Sequence, residues 1–103
     1  MVTMVTREET LEEVEHQVDL YQELLELTKK EHKLLKKKED ITEVQEEKRE
    51  IRDEIAAIDM KFNIKQSNKL KLIMSSTSEK LQQFKPTLKK LYDLEKKNQN
   101  LTR

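Results

Sequence analysis

The run from Leu11 to Leu35 constrains this chain more than any other. Read in steps of three and four, Leu11, Val14, Val18, Tyr21, Leu25, Thr28, His32 and Leu35 fall on one line with no miss. An α-helix turns once in about 3.6 residues, so side chains three and four apart share a face. The spacing therefore prescribes a helix that buries one seam against other helices. A second row, Leu20, Leu24, Leu27 and Leu34, runs beside the seam. A two-stranded coiled coil needs only the narrow seam. A stripe widened by a flanking row suits a helix with two or more neighbours, or one whose partner has still to bind.

The rest of the chain reads as cover for this helix. Thr6 with Glu9 and Thr10 with Glu13 both form capping boxes, and the earlier one predicts a first helix over 7–37, with 1–5 frayed. Glu26 and Lys30 offer a pair four residues apart. Lys38-Glu39-Asp40 is a break, and Asp40 with Glu43 caps a second helix over 41–62. So short a link makes the two helices antiparallel neighbours. The second seam is Ile41, Val44, Lys48, Ile51, Ile55, Ile58 and Phe62. Lys48 interrupts it, and is expected to lay its stem along the seam with its ammonium in water.

Asn63 to Asn68 is the second break, with Ile64 tucked under it. Ser67 or Asn68 caps a third helix over 68–99. Its seam, Leu70, Ile73, Thr77, Leu81, Phe84, Leu88, Leu91, Leu94 (or Glu95), Asn98 and Leu101, slips by two successive fours after Ile73. The run Ser75 to Ser78 forms helix poorly, Ser76 with Glu79 can cap anew, and Pro86 removes a backbone donor. A fixed kink and a moving hinge between 75 and 86 both fit. The expected fold is all-α: a single domain over 1–103, an elongated antiparallel hairpin crossed by a long third helix. Its core should join Val18, Tyr21, Leu25, Ile51, Ile55, Ile58, Leu81, Phe84 and Leu88.

Composition narrows the function. Charged residues make up 41% of the chain, which also fits disorder, but a disordered chain has no reason to keep heptad phase. There is no glycine for a phosphate-cradling loop and no cysteine for a thiolate nucleophile or metal site. His32 lies on the seam and reads as a half-buried core residue. Glu13 and His16 have the spacing of a helical metal pair, but Lys29 stands where the second pair needs a carboxylate. Tyr21 and Tyr92 read as packing residues with wet hydroxyls. Neither an enzyme nor a cofactor or metal is expected. No signal peptide or membrane span is expected either, which fits a cytoplasmic protein.

Charge is unevenly spread. Residues 1–60 carry 18 acidic and 10 basic side chains, and residues 61–103 carry 3 and 11. The basic segment is expected to dock on the acidic hairpin. A nucleic-acid surface is not expected, because the lysines are spread out and not interleaved with stacking aromatics.

Leu20-Tyr21-Gln22-Glu23-Leu24-Leu25-Glu26-Leu27-Thr28-Lys29 resembles the opening helix of the FliT-type flagellar export chaperones. Leu34-Leu35, Asp40 and the stretch Glu47 to Asp59, with its Ile55-Ala56-Ala57-Ile58-Asp59 ending, resemble that family's second helix. Residues 79–103 resemble its basic C-terminal part more loosely, and FlgN-type chaperones share much of the pattern. The resemblance implies a cytosolic helical chaperone. It would bind the C-terminal segment of a flagellar filament-cap or hook-associated protein, prevent premature assembly, and pass its client to export-apparatus components. The chaperone could be a monomer or a homodimer. On that reading Leu20, Leu24, Leu27 and Leu34 accept an amphipathic client helix, with Leu88, Leu91 and Leu94 as their resting cover. The other reading is a structural coiled-coil subunit of a larger helical assembly.

Overall fold

A computed structural model describes residues 7–61, 69, 71, 73, 74 and 78–102. Expectations for residues 1–6, Phe62, the 63–68 break with Ile64, Leu70 and the Ser76 cap lie outside these residues. Among them the chain is helical and has no strand. Helix α1 (Arg7–Lys36) and helix α2 (Thr42–Lys61) form the hairpin. Lys69, Lys71, Ile73 and Met74 are helical. Helices α3 (Glu79–Gln82) and α4 (Phe84–Leu101) follow. Both α2 and α4 pack along α1, whereas α2 and α4 meet each other through long charged side chains rather than close backbones. The molecule is elongated, 49 × 30 × 18 Å.

The hairpin link needs a left-handed residue, and without glycine Lys38 supplies it at φ 58°. Lys38 N–H donates to Leu35 O at 3.1 Å and Glu39 N–H to Leu34 O at 2.9 Å. This pair of bonds closes the exposed carbonyls at the end of α1 in a Schellman turn. Asp40 then accepts from both the backbone N–H and the hydroxyl of Thr42, at 3.1 and 2.7 Å. These bonds, the hydroxyl first, hold its carboxyl below the usual range. Glu26 pairs with Lys29 at 3.0 Å, one residue short of the expected Lys30.

The third helix does not run unbroken over 68–99. Ser78 is extended (φ −64°, ψ 125°), and its Oγ accepts from Leu81 N–H at 3.5 Å while lying 3.2 Å from Glu15 Oε1. A serine that can bond both the next turn and a neighbouring helix favours a cap over a helix interior. A second break falls at Gln83, and the last helix is bent by 29°. That break puts Pro86 in the first turn of α4, where a backbone N–H has no helical acceptor to lose.

Eight of the nine expected core residues fall in two clusters, and the ninth, Ile55, is buried but belongs to neither. Val14, Val18, Ile73, Leu81 and Phe84 form one, flanked by Leu11, Tyr21, Ile58 and Leu88. Leu24, Leu25 and Leu91 form the other, flanked by Tyr21, Ile51 and Leu94. Tyr21 joins the two, with its ring edge-on to Phe84 at 5.2 Å. Burial, then the nearby Asp59 charge, pushes its phenol pKa up. Tyr92 is 63% exposed and packs in neither, contrary to the packing role expected for it.

Candidate partner-binding surface

The leucine row is unevenly covered. Leu20 and Leu24 are buried, whereas Leu27 and Leu34 are half-buried. Of the residues read as cover, Leu91 packs directly with Leu24 and Leu25, and Leu94 lies against the same cluster. Leu88 packs instead with the Val14–Phe84 cluster. The structure thus brings Leu24, Leu91 and Leu94 together. It leaves Leu27 in a groove between α1 and α2, with Ile51 beside it.

Beyond Leu91 the seat of α4 changes character. Lys48 on α2 is 2% exposed, and its ammonium lies 3.1 Å from Glu31 of α1 and against Glu95 of α4. This corrects the expectation of an ammonium in water. The seam position faces two helices at once, so the stem has no short path to solvent and the charge is met by carboxylates instead. Arg52 reaches Glu95 at 3.5 Å. Buried Asn98 donates to Glu31 at 2.8 Å and to Thr28 O at 3.2 Å. Its amide nitrogen being so engaged, its oxygen accepts from His32 Nδ1 at 2.7 Å, which places the imidazole hydrogen on that nitrogen. Thr28 Oγ1 lies 2.8 Å from Leu24 O and 3.0 Å from Glu95. Seven side chains from three helices therefore meet where an apolar layer would otherwise sit.

A second buried polar group lies near the other end. Gln17 Nε2 donates to Ile55 O at 3.2 Å and to Asp59 at 2.7 Å. Lys69, 1% exposed, meets Asp59 at 3.0 Å with its ammonium 5.9 Å from the Phe84 ring centre. Basic-on-acidic docking is present at Lys69–Asp59 and at Lys80–Asp19, 2.6 Å apart. At Glu95 the polarity is reversed, with the acid on α4 and the bases on the hairpin.

No family model, curated protein or solved structure matches this chain. His16 faces Glu54 at 3.8 Å on the surface. Among the described residues no group of three or more histidine, aspartate or glutamate side chains is placed to hold a metal ion. No helix among them is long and apolar enough to cross a membrane. What the arrangement offers is a helix, α4, seated half on leucine and half on charge. An apolar layer tolerates sliding, whereas a buried ion-pair layer holds one register and is costly when half-broken.

Glu31 and Gln17 were not singled out by sequence reasoning. Both lie in phase with buried neighbours, at 14-17-18 and 28-31-32. A polar residue in that position is the signal that could have found them.

Proposed function

We propose that this chain is a small helical chaperone that receives an amphipathic helix from a protein client. Its resemblance to FliT-type export chaperones makes the C-terminal segment of a flagellar filament-cap or hook-associated protein the client to test first. The observation that carries the reading is the contact of Leu91 and Leu94 with the Leu24–Leu25 cluster, made by a helix that begins at a break and ends on a polar seat. When α4 lifts as a unit, water solvates Lys48, Glu31 and Glu95 together, whereas the bared Leu24 and Leu25 need leucines in return. The cover can therefore exchange with an incoming helix that brings its own leucines, and the partly open Leu27 and Leu34 are where that helix would first land.

The test uses fluorescent peptides of filament-cap and hook-associated C-terminal segments, titrated with the full chain and read by anisotropy. Leu27→Asp should weaken binding at least tenfold. Leu94→Ala should tighten it, because loosening the cover raises the fraction of open sites. If neither peptide binds, or if Leu27→Asp leaves affinity unchanged, the proposal fails. The exposed Met60, Met74, Tyr92 and Leu101 favour a second reading, a subunit of a larger helical assembly. That reading requires an obligate oligomer with no folded monomer on dilution.

A further inference from the structure

The groove between α1 and α2 has an apolar floor, Leu27 and Ile51, and acidic lips, Glu23 and Glu26 on one side and Glu47 and Glu50 on the other. Glu26 already meets Lys29, whereas Glu23, Glu47 and Glu50 have no ion-pair partner among the described residues. The groove calls for a helix that presents one apolar side chain between cations. The outer face of α4 is such a helix. Lys85, Lys89, Tyr92 and Lys96 follow one another at steps of four, three and four, all exposed, and the Lys96 ammonium sits 5.5 Å over the Tyr92 ring. The one base in the groove is Lys30, and the one acid on the outer face of α4 is Asp93 beside Tyr92, so even the exceptions match.

This α4 cannot fill the groove of its own chain. It sits on the Leu25 and Thr28 side of α1. Leu27 is two residues from Leu25, about 200° round the helix. We propose that the groove receives α4 of a second copy of this chain. Tyr92 then lies on Leu27 and Ile51, with Lys89 and Lys96 against Glu23, Glu47 and Glu50. The contact does not depend on any client, although it shares Leu27 with the proposed client surface.

The test is analytical ultracentrifugation of the full chain over a concentration series at low salt and at about 0.5 M salt, where the screening length falls to a few ångströms. Association that rises with concentration at low salt and is lost at high salt is expected. Lys89→Glu with Lys96→Glu destroys the key, and Glu47→Lys with Glu50→Lys destroys the lock. Each variant alone should stay monomeric with unchanged helix content, and an equimolar mixture should form a one-to-one pair, since each supplies what the other lacks. Tyr92→Ser should weaken association at least fivefold without altering the charges. A wild-type chain monomeric at low salt up to about 1 mM, variants that associate like wild type, or a mixture that stays monomeric would each overturn the proposal. So would a labelled DNA duplex that binds the wild-type face in place of self-association and is lost with Lys89→Glu and Lys96→Glu.

Discussion

Removing the Lys48 ammonium should destabilise the fold far more than breaking any surface pair. In Lys48→Met the stem is kept and the charge is lost. Glu31, with a 6% exposed side chain, then faces Glu95 with no cation between them, a buried charge left uncompensated. Breaking a buried pair in this way costs ~3–5 kcal/mol. Two features put the loss near the lower end. Glu95 is 26% exposed and keeps Arg52, and Glu31 keeps the Asn98 amide. With a urea m-value of about 1.5 kcal/mol/M, a loss of about 3 kcal/mol lowers the midpoint by about 2 M. Lys80→Met is the control: its pair with Asp19 is 41% and 51% exposed and should contribute ~0–1 kcal/mol. Urea unfolding followed by far-UV circular dichroism measures both. Adding Glu31→Leu to Lys48→Met should cost less than Glu31→Leu alone, because the lone carboxylate is removed. A Lys48→Met loss equal to that of Lys80→Met would refute the buried network.

Lys38→Gly should stabilise the hairpin by about 0.5–1 kcal/mol in the same assay, since glycine takes the left-handed turn without the Cβ penalty. Ile55→Ala should cost ~2–5 kcal/mol, because Ile55 is 5% exposed. Asp40 has its pKa lowered on folding, so its capping contribution is present above about pH 4 and is lost as pH falls through the folded value. An acid titration of stability should therefore be flatter in Asp40→Asn. Tyr21 has its pKa raised, so its contribution is full below about pH 10 and lost as pH rises through the folded value. Tyr21→Phe should remove that part of the alkaline loss.

The hairpin was legible because its signals are local. The seam over Leu11–Leu35, the Asp40 cap and the second seam with Ile55 each depend on residues within a turn or two of one another, and both ends of α1 and the start of α2 fall within a residue of their expected places. The last helix was harder. Ser78 is extended partly because it reaches Glu15 on another helix, and that contact has no trace in the residues around Ser78. The same holds for the polar seat. Thr28, His32, Lys48 and Asn98 were all placed on seams, but which charge meets which depends on how α4 settles against the hairpin. The leucine row was split for a related reason: Leu91 covers Leu24, while the rotation of α1 turns Leu27 away from α4 and toward Ile51.

Whether α4 is an exchangeable cover is tested most directly by hydrogen exchange of the full chain, with and without the filament-cap C-terminal peptide. If the client displaces the cover, amides of residues 84–101 should exchange faster when the peptide is bound, while those around Leu24 and Leu27 slow. Peptide binding that protects residues 84–101, or leaves them unchanged, would show α4 to be a permanent part of the core.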